Sequence, residues 1–174
     1  RAIQREMERG GQVYILHNRV QDIEEVANEI SSLVPDASVS VGHGQMPAGA
    51  LDNVMRSFVQ GKCDVLVSTT IIENGLDVPR ANTMIVRNAS RFGLAQLHQL
   101  RGRVGRSRER AFCYLMLPEN GVEDPAALER LRTLERYSML GAGFRIAMRD
   151  LEIRGAGNLL GPEQSGHILT VGYE

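Results

Sequence analysis

Apolar positions along the chain fall into two rhythms. Short continuous runs at residues 13–16, 39–41, 65–67, 84–86 and 112–117 have strand length and are mostly β-branched or aromatic. Their continuity, in place of alternation, predicts strands covered on both faces. Between them the spacing becomes helical. Ile23, Val26, Ala27, Ile30, Leu33 and Val34 recur at i, i+3, i+4, i+7, with Asp22 placed to cap the start and Pro35 to stop the run. Leu51, Val54, Met55, Phe58 and Val59 repeat that rhythm between Pro47 and Gly61, and a shorter helix is predicted over 92–101. The residues before the first strand read as the end of another helix.

Strand–helix alternation with short connections predicts an α/β fold: a parallel sheet with right-handed crossovers, flanked by helices. Ligands of such sheets sit at the carboxyl ends of the strands, so the residues just after each apolar run become the functional candidates. Beyond Pro118 the rhythm changes. Asp124 and Pro125 predict the cap and first turn of a helix carrying Leu128, Leu131 and Leu134 on one face. Gly141 and Gly143 then interrupt, and a second helix is expected to bury Phe144, Ala147, Met148 and Leu151. Glycines and few apolar residues between 154 and 166 predict an extended loop. The chain therefore divides into an α/β unit over 1–122 and a helical hairpin with loop over 123–174. No internal repeat is visible.

With 174 residues, 43% hydrophobic and 24% charged, the chain suits one compact α/β domain with a modest appendage. No run of 18 apolar residues predicts a membrane span, and no secretory leader pattern opens the chain. Cys63 and Cys113, far apart in apolar surroundings, fit a reducing cytoplasm better than a disulfide framework. The chain begins at Arg1, which suggests a piece of something larger. A net charge of −1 announces no polyanionic partner. Lys62 is the single lysine among twenty cationic side chains, and Arg101, Arg103, Arg106, Arg108 and Arg110 crowd into one short stretch. A guanidinium's planar fork pairs with phosphate or carboxylate through two parallel hydrogen bonds.

The sharpest signal lies in that stretch, Gln99-Leu100-Arg101-Gly102-Arg103-Val104-Gly105-Arg106. Arginines three apart, each preceded by glycine, can bring two guanidiniums to one anion while the glycines let the backbone turn tightly. Phosphoryl transfer spreads negative charge over equatorial oxygens, where an inserted arginine is worth about 10³–10⁵ in rate. A surface salt-bridge cluster or an RG-type RNA binder is the plainer alternative, but RG-type segments are repetitive and lack structured flanks. A second signal, residues 68–79, follows the third strand with Ser68, Thr69 and Thr70, then Gly75 and Asp77. Hydroxyls and N–H groups at a strand end suit phosphate, and Asp77 could orient an arginine or a ribose. His17-Asn18-Arg19 and Gly42-His43-Gly44 follow the first two strands, so polar tips on one sheet edge could track a nucleic-acid backbone. The histidines show no zinc spacing.

An absence shapes the reading. ATP hydrolysis on such a sheet needs G-x-x-x-x-G-K-[ST]. The only lysine lies in Gly61-Lys62-Cys63, where a cysteine stands in place of the hydroxyl and Arg56 in place of the first glycine. The chain is expected to hold half of an ATP site and to be inactive alone.

Together these segments resemble the second RecA-like lobe of superfamily 2 helicases and translocases, with His17-Asn18, residues 68–79 and residues 99–106 as its fourth, fifth and sixth motifs. The resemblance implies ATP and Mg²⁺ held mainly by a first lobe elsewhere in the polypeptide. Gln99, Arg103 and Arg106 would face the γ-phosphate, and Gly75 and Asp77 would line the same cleft. Thr69, Thr70, His43, Gly44, His17 and Asn18 would meet double-stranded DNA. Residues 143–151, 154–161 and 164–166 resemble the translocation motif of RecG-like translocases, in which a hairpin and loop act as a lever on duplex DNA. This adds Arg130, Arg154 and Gln164, against the plainer reading of a two-helix cap. His98 and Asn74 depart from the tyrosine and threonine expected in that family. Residues 17–20, 91–97, 164–167 and 171–174 stand closer to the branch that displaces stalled RNA polymerase than to the fork-remodelling helicases. That branch implies RNA polymerase and excision-repair proteins as partners through other domains. A non-catalytic nucleic-acid binding module is the remaining alternative.

Overall fold

In the computed structural model the apolar runs form β1 (Gln12–Leu16), β2 (Val39–Gly42), β3 (Val65–Ser68), β4 (Ala81–Val86) and β5 (Phe112–Leu115). The structure describes residues 1–69, 78–105, 109–118, 120–122, 124–137 and 143–158, excepting the side chains of 144 and 154–158. The strands make one parallel sheet in the order β2-β3-β1-β4-β5. Helices α1 (Ala2–Glu8), α2 (Ile23–Leu33), α3 (Ala48–Val59) and α4 (Leu94–Arg101) flank it, and α5 (Pro125–Arg136) and α6 (Gly143–Asn158) follow.

Right-handed crossovers decide which helix covers which face. The step from β1 to β2 runs one way along the sheet, whereas β2 to β3 and β4 to β5 run the other way. So α2 lies on one face, and α3 and α4 lie on the opposite one. The core divides accordingly. Val13, Ile15, Val65 and Val67 pack with Ile23, Val26 and Ile30 of α2. Tyr14, Leu16, Leu66, Met84 and Val86 pack with Met55 and Phe58 of α3 and with Leu94, Leu97 and Leu100 of α4. Leu131, Leu134 and Ile146 extend this second core, so α5 and α6 are a further layer laid on α4.

Several expectations shift. β4 starts at Ala81, and β5 ends at Leu115, leaving Met116 and Leu117 exposed beyond it. A 3-10 turn at Ala89–Arg91 precedes α4, and extended backbone at Phe92 and Gly93 leaves the first two residues of the predicted 92–101 helix outside it. Asp22 precedes α2 as expected, but its carboxylate is engaged by His17 and makes no cap bond. Asp124 does cap α5, accepting from the Ala126 N–H at 2.9 Å, with Pro125 in the first turn. The inward face of α6 is not the one expected. Ile146 and Asp150 are buried, while Met148 and Leu151 are 45% and 65% exposed. Helix α6 also runs on to Asn158, so Arg154 is helical and not part of an extended loop.

Candidate functional site at the edges of the sheet

Parallel register brings the strand ends level. Gly42, Ser68, Leu16, Val86 and Leu115 occupy one rung of the sheet. The next residue on each strand continues the ladder: Thr69 N–H donates to Gly42 O, His17 N–H to Ser68 O, Arg87 N–H to Leu16 O and Met116 N–H to Val86 O. His43, Thr69, His17, Arg87 and Met116 therefore stand side by side along the edge, about 4.8 Å from strand to strand. Crossovers leave β1 and β4 in opposite directions, so the crevice expected in such sheets opens at this edge.

Each tip is set differently. His17 is only 3% exposed, and its Nε2 lies 2.9 Å from Asp22 Oδ1. That hydrogen bond holds the Asp22 carboxyl below its ordinary range. His17 thus fixes the turn into α2, and Asn18 and Arg19 of that turn reach the surface. His43 is half-buried at the head of a turn closed by Met46 N–H donating to His43 O, and Gly44 next to it is exposed. Thr69 is half-buried. His17 Nδ1, Asn18 Oδ1, Ser68 Oγ and His43 Nδ1 are buried and meet no hydrogen-bond partner among the described residues. Such atoms are costly unless something outside satisfies them. The ledge thus offers uncommitted polar atoms where a ligand backbone would lie. Thr70, Gly75 and Asp77 lie outside the described residues.

The arginine run begins on α4. Gln99 is exposed on its last turn, and Arg103 sits half-buried in the turn beyond it, its N–H donating to Leu100 O. Gly105 has φ +79, and a Cβ there would stand 2.6 Å from the Cβ of Ala111. Only glycine satisfies both the left-handed backbone and that approach. The loop is pinned at its base against the entry to β5. Arg106 lies outside the described residues. Ala111 leads into Phe112, the first residue of β5, so the turn that carries Arg103 stands at the amino edge of the sheet, opposite the strand tips.

Arg130 of α5 reaches back to the carboxyl edge. Its Nη2 donates to Ser90 O at 3.3 Å, in the turn between β4 and α4, and lies 3.7 Å from Asp124. Arg149 of α6 joins Glu129 of α5 at 2.8 Å and Glu152 of its own helix at 2.7 Å, tying the two helices together. Arg101 and His98, which the sequence offered only as one more arginine and an odd histidine, meet across the end of α4 with Nη2 and Nδ1 at 3.2 Å. Nothing in spacing marked them as a pair beyond their i, i+3 separation. Arg154 lies on α6, and Gln164 lies outside the described residues.

Comparison with known proteins identifies the family. The helicase conserved C-terminal domain family matches residues 1–108. The transcription-repair-coupling factor of Bacillus subtilis (strain 168) is 56% identical over 173 residues, covering 99% of this chain and 15% of that protein. Its counterpart from Myxococcus xanthus is 53% identical, with 99% and 14% covered. The structure of RecG bound to a three-way DNA junction superposes with a TM-score of 0.73 at 43% identity, over 90% of this chain and 20% of that one. The chain spans a small part of each of these relatives.

Proposed function

The chain belongs to the helicase conserved C-terminal domain family, and on that premise we propose that it is the second motor lobe of an ATP-dependent double-stranded DNA translocase. The translocase displaces stalled RNA polymerase and couples transcription to excision repair. The observation that carries this reading is likeness to the coupling factor across both the arginine run and the helical pair. Identity is 56% to that protein and 43% to RecG, which favours the coupling task over fork remodelling.

ATP with Mg²⁺, held mainly by a first lobe of the same polypeptide, supplies the free energy of the cycle. Toward it this chain contributes Arg103 and Arg106, with Gln99 beside them and Gly75 and Asp77 lining the cleft. These guanidiniums gain their contacts only when the lobes close, so a bound nucleotide shifts the population toward the closed state. Thr69, Thr70, His43, Gly44 and Asn18 meet the DNA backbone, with His17 holding the turn that presents Asn18. Arg130, Arg154 and Gln164 belong to the lever that carries closure to the duplex. RNA polymerase and excision-repair proteins bind through other domains.

Arg106→Ala in the full-length protein tests the reading. It is expected to lower kcat for ATP by about two orders of magnitude or more, the effect of removing an arginine finger. Polymerase displacement should fall in step. An unchanged kcat would remove the finger role.

A further inference from the structure

We infer that Arg101 and His98 are positioning residues that form the joint between the arginine loop and the helical pair. The inference rests on the motor reading above and adds to it the place where motion crosses from one part to the other.

Arg101 closes α4, two residues before Arg103. Its Nη1 donates to Leu134 O at 3.0 Å. Leu134 belongs to the last turn of α5, whose carbonyls have no partner within the helix. A cation there also meets the negative end of the helix dipole. The other arm of the same planar fork meets His98 Nδ1. Arginine can only donate, so Nδ1 is the acceptor and the imidazole proton resides on Nε2. His98 in turn backs onto the start of α6: a Cβ added at Gly143 would stand 3.4 Å from His98 Nε2. One guanidinium and one imidazole thus grip the end of α5 and abut the start of α6. They do so from the helix that leads directly into the arginine loop.

The grip has a condition. Protonated, His98 offers no lone pair at Nδ1 and sets a second cation 3.2 Å from the guanidinium. Burial, then Arg101, hold the imidazole below its ordinary 6.5, so it is neutral at pH 7. Arg101 on α4 is its charged neighbour, and Cys113 and Tyr114 on β5 and Arg132 and Glu135 on α5 line the same groove. Cys113 stays protonated in this range, being raised to about 11 by burial. Glu135 is the only carboxylate among those groups. The joint is assembled above pH 6.5 and is lost as the pH falls below it.

The test uses the full-length protein, with ATP turnover and displacement of a triplex-forming strand from duplex DNA as separate readouts. Arg101→Ala is expected to reduce strands displaced per ATP by about tenfold, the scale of a coupling between sites, while ATP turnover changes far less. Arg101→Lys, which cannot bridge both acceptors with one planar fork, should behave similarly. His98→Asn keeps an acceptor near the Nδ1 position without titrating. It should preserve coupling and flatten the loss that the wild type shows as the pH falls below 6.5. His98→Leu should uncouple at every pH, and this keeps the test open if Arg101→Ala fails to fold. Normal displacement per ATP by Arg101→Ala or His98→Leu would overturn the joint alone. A wild type that hydrolyses ATP on duplex DNA without displacing the strand would overturn the motor reading, and the joint with it.

Discussion

Gly105 shows how one residue carries both conformation and packing: its positive φ and the approach of Ala111 each exclude a side chain. That much was legible, because a glycine between two arginines already demanded a backbone reason. The pairing of Arg101 with His98 and Leu134 O was not, since it joins residues 33 apart through a fold that had first to form. His17 was legible as a strand-end residue, but its burial and its bond to Asp22 depend on the turn that follows. At this scale Cys113 gives a pH prediction. Burial raises its thiol from 9.0 to about 11, so the folded chain holds that proton at a pH where the unfolded chain has lost it. Its contribution to stability is complete below pH 9 and fades as the pH rises toward 11. The urea midpoint of the wild type is expected to fall over that window more than that of Cys113→Ala.

Elements were easiest to read where periodicity met punctuation. All five strands and the helices between them were visible, because buried parallel strands need unbroken apolar runs and helices need a stripe. The facing of α6 was misread for a physical reason. Ala147, Met148 and Leu151 continue an apolar pattern yet face outward, and Ile146 and Asp150 turn inward because α4 and α5 meet the helix on that side; the side chain of Phe144 lies outside the described residues. Elements are also joined by single side chains that no pattern marks. Gln12 on β1 is buried, and its Nε2 donates to Phe58 O at 2.7 Å and Cys63 O at 2.6 Å, closing the end of α3 and the entry to β3. Gln12→Ala strands the Cys63 carbonyl, while Phe58 O keeps the Gly61 N–H, and is expected to cost about 1 kcal/mol, the lower end of the penalty for an unsatisfied buried group. A urea midpoint unchanged from wild type would refute that role.

For the molecule as a whole, near-zero net charge hides a local arrangement. Polar tips line the carboxyl ledge, with Arg87 among them paired to Glu29, and further cationic side chains gather around α4. Binding of duplex DNA by the full-length protein is therefore expected to weaken with salt, with a slope of about −0.9 for each phosphate neutralised. Thr69→Val should weaken binding by about fivefold on every sequence, the worth of one hydrogen bond. It should leave that slope alone, because a hydroxyl releases no counterion. Anisotropy titrations over a range of salt would show this, and a slope lowered by one unit would assign the contact wrongly.

The order of strands has a consequence for how the chain is made. β1 lies at the centre, between β3 and β4, yet Leu16 pairs with Ser68, about fifty residues later in synthesis. While the ribosome adds those residues, the central strand has no lateral neighbour. Nor can β2, the next strand to emerge, serve as one, because it joins the sheet only through β3. Nascent chains of this lobe stay open until β3 arrives, and the apolar segment at 12–16 is the one a holding chaperone would meet first.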